Sequence, residues 1–263
     1  MPRSSDTLAK HKSKIAVALV LTFVSGLVDI VGFLGLYHLF TAHVTGTTVH
    51  LGQSIEERSG SGVIAGFAIV AAFLIGSVTG RAIIEVGARR RFRSIATIVL
   101  GIEAATIAFV AVSVAPGAAG ASLGAAVAPR VYFFLSLLAA AMGLQTATLT
   151  GVGPLTVHTT FVTGMVNKLA QLLARILFRS YDFLRGRRDT PENRAAQSAE
   201  SKQAIFIFSI WMFYMFGAIG GTASFMRWHM HALFVAVAGL AIGMATDLFT
   251  PLSIEEEREQ SER

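Results

Sequence analysis

The 263-residue chain has no cysteine, which excludes disulfide frameworks, Cys-ligated metal sites and thiol nucleophiles. It is also poor in charge: Asp, Glu, Lys and Arg make up 14% of it, against roughly 25% in an ordinary soluble domain. No phosphate-cradling Gly-rich loop, nucleophile elbow or His-Glu-x-x-His pattern occurs, and Gly151-x-Gly153-Pro154 reads as a turn. Neither an enzyme nor a cofactor is therefore expected. What the chain has is apolar length. Hydrophobic residues reach 53% and the mean hydropathy is +0.61. Ile15–Phe40, Gly62–Glu85, Ile95–Ala115, Val131–Thr150, Ala204–Ser224 and His231–Pro251 are each apolar over about 20 residues, enough to cross roughly 30 Å of hydrocarbon. The expected class is an all-α, polytopic membrane protein of six spans.

Basic residues set the expected orientation. Four Lys/Arg precede the first span, four follow the second (Arg89, Arg90, Arg91, Arg93), six lie from Arg179 to Lys202, and two are in the tail. The alternate loops hold Arg58, Arg130 and Arg227 alone. Sixteen against three predicts both termini on the cytoplasmic side. Loop topology thus accounts for the net charge of +6, and nucleic acid is not an expected partner. The run after Lys10, Lys12 and Lys14 is longer than a signal-peptide core and lacks a small-x-small cleavage site, so it reads as an uncleaved first span.

The second half repeats the first. Gly26-Leu27-Val28-Asp29 answers to Gly143-Leu144-Gln145-Thr146, and Val44-Thr45-Gly46 to Val162-Thr163-Gly164. Gly76-x-x-x-Gly80 answers to Gly217-x-x-x-Gly221, and Leu100-x-Ile102-x-x-Ala105-Thr106 to Leu240-x-Ile242-x-x-Ala245-Thr246. The offset is 117 to 118 residues for the first two matches and 140 to 141 for the others. A single insertion of about 23 residues, at the basic linker, explains all four. Three spans per unit is an odd number, so the second unit enters the membrane from the opposite side, an inverted repeat. The expected organisation is a basic cytoplasmic segment at 1–14, one repeat at 15–115 and another at 131–251. A flexible basic cytoplasmic linker occupies 179–203 and an acidic cytoplasmic tail 252–263.

Both Thr-Gly segments lie where a full span fits poorly. Thr41–Ile55 is polar and short, and Gly151, Gly153 and Pro154 break any helix before Thr160. Phe161–Phe178 has helical apolar spacing with Lys168 and Arg175 interspersed, which fits a re-entrant or interfacial helix, or a seventh span. Irregular backbone at membrane depth is tolerated where protein buries it or where it lines a wet cavity. Asp29 lies about 21 Å along the first span, and Glu103 about 12 Å into the third. Carboxylates at such depths cost on the order of 2.5–3.5 kcal/mol and face a bundle interior. Asp247 and Arg81 lie near span ends, within snorkelling reach of the interface. His38, His43, His50 and His158 show no ligand spacing, so no metal is expected. The Gly-x-x-x-Gly pairs at Gly76/Gly80, Gly217/Gly221 and Gly239/Gly243 read as helix-packing faces.

Gly26-x-x-Asp29, Phe40-Thr41-Ala42-His43-Val44-Thr45-Gly46, Gly143-Leu144-Gln145 and Thr159-Thr160-Phe161-Val162-Thr163-Gly164 occur in an order and spacing that resembles the YoaK-like family of bacterial inner-membrane proteins. The resemblance runs from about residue 20 to residue 250. That family's pattern has Asn after the first Thr-Gly and after Gly-(Leu/Met)-Gln. Thr47 and Thr146 stand there in this chain, keeping a hydrogen-bonding side chain without the amide. The family carries a domain of unknown function, so the resemblance implies bilayer architecture and no chemistry.

The reading that joins these observations is a secondary transporter or permease for a small solute. Its site would lie between the repeats, near Asp29, His43, Thr45, Gly46, Gln145, Thr163 and Gly164, with Asp29 or Glu103 taking a coupling proton or ion. The competing reading is a non-transport scaffold or sensory protein acting through the basic linker. Expected partners are the bilayer, a small-molecule or ion substrate and a second copy of the chain.

Overall fold

Hydrocarbon offers no partner to a backbone N–H or C=O, so apolar stretches of this length fold as helices whose hydrogen bonds are internal. The computed structural model describes residues 4–36, 39–90, 92, 94–114, 129–148, 151–152, 155–156, 162–185 and 190–250. These form α1 (Ser4–Gly35), α2 (Val44–Glu56), α3 (Gly60–Arg89), α4 (Ile95–Ser113), α5 (Pro129–Thr148), α6 (Val162–Leu184), α7 (Pro191–Trp228) and α8 (Leu233–Phe249). A two-residue antiparallel ladder pairs β1 (Gly151–Val152) with β2 (Leu155–Thr156), and the turn expected at Gly153-Pro154 lies outside the described residues. His38, His158, the loop 115–128 and the tail 252–263 lie outside the described residues.

Five segments are long and apolar enough to cross a membrane: Lys12–Gly35, Gly60–Arg89, Ile95–Ser113, Arg130–Thr148 and Pro191–Phe249. The last holds two helices, α7 and α8, separated by a 3-10 turn at His229–Ala232. Its two arms run in opposite directions relative to α1. Going up α7, Tyr214, Gly217, Gly221 and Phe225 meet Gly26, Phe23/Leu27, Leu27/Ile30 and Gly35, so α7 is parallel to α1. Along α8, Gly239 meets Val24 and Gly243 meets Leu21, so α8 is antiparallel to it.

The tightest crossings come in two matched sets. A Cβ on Gly26 would strike the Tyr214 carbonyl, one on Gly217 the Phe23 carbonyl, and one on Gly221 the Leu27 backbone. Between α3 and α5, also parallel, a Cβ on Gly143 would strike the Phe73 carbonyl, one on Gly76 the Ala140 carbonyl, and one on Gly80 the Leu144 backbone. Every residue of the α1–α7 crossing maps onto one of the α5–α3 crossing under the sequence repeat. Leu27 maps onto Leu144, Tyr214 onto Phe73, and Gly217 onto Gly76. Lipid tails are as apolar as leucine, so close van der Waals packing of small residues holds such helices together. The remaining pair, α4 and α8, is antiparallel, with Leu100 against Gly243 and Thr97 against Asp247.

Three details differ from expectation. The first helix ends at Gly35, not Phe40, because the backbone N–H groups of Thr41 and Ala42 return to Asp29. A helix continued to Phe40 would carry Thr41 about 18 Å beyond Asp29. The linker expected to be flexible at 179–203 is mostly helix. The hydroxyl of Thr190 accepts from Asn193 N at 3.3 Å, Pro191 takes the first helical position, and Arg179 pairs with Glu200 at 3.2 Å. Asp247 does not snorkel; it is 1% exposed and its carboxylate caps α4.

Candidate functional site

Asp29 organises the break after α1. Its Oδ1 accepts from Thr41 N (2.9 Å), Thr41 Oγ1 (2.8 Å) and Ala42 N (2.7 Å), and its Oδ2 from Tyr214 Oη (2.6 Å). The carboxylate is 2% exposed, so these four donors replace the water it has lost. One side chain thereby joins α1, the corner leading into α2, and α7. The corner is further held by Phe33 stacked on Phe40 at 4.7 Å between ring centroids.

The first Thr-Gly segment opens α2. His43 precedes it with its ring 5.5 Å from that of Phe40, and a Cβ on Gly46 would lie 3.1 Å from His43 Cδ2. Glycine at this position lets the imidazole fold under the first turn. Thr47 is buried and its hydroxyl donates to Phe40 O and His43 O, so it staples the turn to the preceding corner. Thr45 is exposed, as are His43 and His50, and no third ligand-type side chain joins the two histidines among the described residues. α2 then folds back along α3, with Leu51 against Gly66 and Ser54 against Gly62. Extending that register sets Gly46 beside about residue 70, about 15 Å into α3.

The second copy behaves alike. Val162-Thr163-Gly164 opens α6, with Thr163 exposed and Gly164 half-buried. α6 folds back along α7 through Arg179–Glu200, Ser180–Gln197 and Phe183–Arg194. Extending that register sets Thr163 about level with Tyr214, some 26 Å from Ser180 along α6. Gln145 reaches from α5 to α1, donating to Leu21 O (2.8 Å) and Ser25 Oγ (2.6 Å). Ser25 is one turn from Asp29, so Gln145 and Asp29 address the same face of α1.

The two other buried carboxyls contrast sharply. Asp247 Oδ2 accepts from Thr97 N (2.9 Å) and Thr97 Oγ1 (2.7 Å), satisfying a first-turn N–H of α4 from another helix. Glu103 is 0% exposed, and neither of its oxygens meets a hydrogen-bond partner among the described residues. It lies on α4 between the level where Val99 packs with Leu144 and Ala147 and that where Phe109 meets Phe134. Arg81 is exposed on α3.

Sequence reasoning missed Tyr214, Thr41 and Ser25 as partners. Tyr214 had a visible signal, as the one phenol in the aromatic run from Trp211 to Phe216, where its repeat counterpart Phe73 has no hydroxyl.

Comparison with known proteins shows the family of the chain. The family described as protein of unknown function, DUF1275, matches residues 17–246, a range that holds both glycine crossings and the Asp29 cluster. UPF0700 transmembrane protein YoaK of Bacillus subtilis (strain 168) is 28% identical over 172 residues, 65% of this chain and 72% of that protein. No solved structure matches significantly. With the match running from the first helix into the last, this multi-pass membrane chain belongs to the DUF1275 family.

Proposed function

We propose that the protein is a secondary transporter or permease for a small solute, built of six spans as two inverted three-span units. The observation that carries this reading is the matched pair of crossings. α1 lies parallel to α7 and α3 parallel to α5, with residue-for-residue correspondence between them. Six spans in sequence alternate direction, so the first span, α1, runs parallel to the fifth, α7, and the second, α3, parallel to the fourth, α5. The same alternation makes α5 run opposite to α1, its counterpart. Inverted units of this kind, with helices broken at mid-depth, are a recurrent transporter plan.

In this reading α2 and α6 are re-entrant helices, and their Thr-Gly ends approach the middle of the bundle from opposite faces. The substrate sits between them, with the hydroxyls of Thr45 and Thr163 and the first-turn N–H groups as its polar contacts. His43 and Gln145 line the approach. Asp29 holds the α2 corner in place, because its four donors leave it committed to protein. The coupling proton or cation goes to Glu103, which meets no such partner among the described residues. Both termini are cytoplasmic, in the inner membrane, and transport in this scheme uses no metal or cofactor.

Topology and transport separate experimentally. The chain has no native cysteine, so single cysteines report cleanly. Arg58→Cys, Arg130→Cys and Arg227→Cys should label from outside the cell with an impermeant maleimide. Arg90→Cys and Lys202→Cys should label only after permeabilisation; a complete exchange between the sets would reverse the orientation, and a partial one sinks the inverted arrangement. Uptake into proteoliposomes across a small-solute panel then tests transport, with Glu103→Gln expected to abolish coupled uptake. A correctly oriented protein that moves no solute on the panel would favour the scaffold reading.

A further inference from the structure

One carboxyl stands apart from the rest of the polar interior. Asp29 accepts four hydrogen bonds and Asp247 caps α4, whereas both oxygens of Glu103 are buried without a partner among the described residues. The register of the surrounding helices fixes what lies at its level. A Cβ on Gly243 would meet Leu100 of α4 and Leu21 of α1, so Glu103 is level with about Leu240 of α8 and Val24 of α1. On α5, the contacts of Val99 with Leu144 and of Phe109 with Phe134 set about Ala141 beside it. All three positions are apolar and buried.

Nearby hydroxyls are already engaged. Ser25 donates to Leu21 O at 3.1 Å and accepts from Gln145 Nε2 at 2.6 Å, and Thr106, one turn along α4, donates to Ile102 O at 2.8 Å. Ionisable groups are further off. Asp29 lies about 8 Å along the bundle in one direction and Asp247 about 9 Å in the other, at 1.5 Å per residue. Arg130, Tyr132, His229 and His231 lie at least about 12 Å toward one end, and Lys12 and Lys14 about 15 Å toward the other. Arg81, Glu85 and Arg89 of α3 are exposed.

This setting separates the candidate ions by chemistry. A metal cation gives up its water only for a shell of oxygens, about six for magnesium and about six to eight for calcium. The carboxylate offers two, the positions level with it offer no side-chain oxygen, and the backbone carbonyls are committed to their own helices. A proton needs one oxygen, and the carboxyl that takes it carries no charge to be solvated. Glu103 also has no twin. In the repeat it falls opposite Gly243, where a Cβ would lie 3.4 Å from Leu100.

We infer that the coupling ion is a proton, held by Glu103 as the neutral acid, with one such site per chain. The inference rests on the transporter reading above and names its ion.

Dicyclohexylcarbodiimide tests it without any substrate, because this apolar reagent adds to carboxylic acids in hydrocarbon and not to carboxylates. The O–H adds across one C=N bond and the acyl group then migrates to nitrogen, so nothing leaves. The full chain in proteoliposomes should acquire one adduct, mapped to Glu103 by peptide mass spectrometry, and raising the pH should slow it. Glu103→Gln should acquire none. Sodium, potassium or magnesium chloride should label at the same rate as choline chloride, whereas a metal site would be protected about tenfold at ten times its Kd. These salt arms use the unaltered chain, so they stand even if Glu103→Gln does not fold. Protection by any of the three cations, or no adduct at Glu103, overturns the proton and leaves transport untouched. Unprotected labelling with no uptake across the solute panel overturns the transporter reading instead.

Discussion

The crossing of α1 with α7 and that of α5 with α3 have the same backbone and different chemistry. Gly26, Gly217 and Gly221 in one are Gly143, Gly76 and Gly80 in the other. Where the first carries Asp29 bonded to Tyr214, the second carries Thr146 and Phe73. The Thr146 hydroxyl donates to Met142 O on its own helix, 2.9 Å away. A Cβ on Gly26, Gly217, Gly143 or Gly76 meets a backbone carbonyl, and one on Gly221 or Gly80 meets Ile30 or Ala147 with backbone close behind, so glycine stands at all six positions. A polar pair above the crossing is under no such constraint. The two crossings share their packing, and only one of them carries a bonded carboxylate–phenol pair.

The largest effect that sharpens this comparison comes from filling the crossings. Gly26→Ala and Gly143→Ala should each destabilise by about 3 kcal/mol, measured as detergent-resistant thermal unfolding. Helix propensity alone would favour alanine by about 1 kcal/mol, so any gain in stability at either site breaks the equivalence. Next comes the asymmetry. Asp29→Ala strands the N–H groups of Thr41 and Ala42 and should cost about 2–3 kcal/mol, whereas its counterpart Thr146→Ala should cost under about 0.5 kcal/mol. A double-mutant cycle of Asp29→Asn with Tyr214→Phe should give a coupling of about 1–2 kcal/mol, and additivity would mean that the 2.6 Å bond contributes nothing. Asp247→Ala removes the cap of α4 and should cost about 1 kcal/mol. The smallest effect is outside the repeat: Glu200→Ala breaks a partly exposed pair with Arg179 and should cost about 0.5 kcal/mol.

The spans were readable because about 20 apolar residues have few other fates in a chain this poor in charge. The glycine crossings were readable for a related reason. Close backbone approach demands glycine at fixed spacing, so Gly76/Gly80 and Gly217/Gly221 carry the structure in their letters. Asp29 announced itself as a carboxylate deep in a span, yet its partners did not. Tyr214 is 185 positions away, and nothing local in its aromatic surroundings says which helix its hydroxyl reaches. The linker was misread because charge density outweighed a helix-start signal that was present at Thr190-Pro191-Glu192. Glu103 was found from depth alone, but its isolation from donors is a property of the packed bundle that composition does not express.

The cross-paired helices also impose an order of birth. A ribosome delivers α1 and α3 to the membrane long before α7 and α5 exist, so both glycine faces first meet lipid instead of protein. The face of α3 is matched when α5 arrives, and that of α1 only once Tyr214 to Gly221 have been made. The amino-terminal half is thus a waiting template, and the last hairpin to be synthesised is the one that locks the first helix in place.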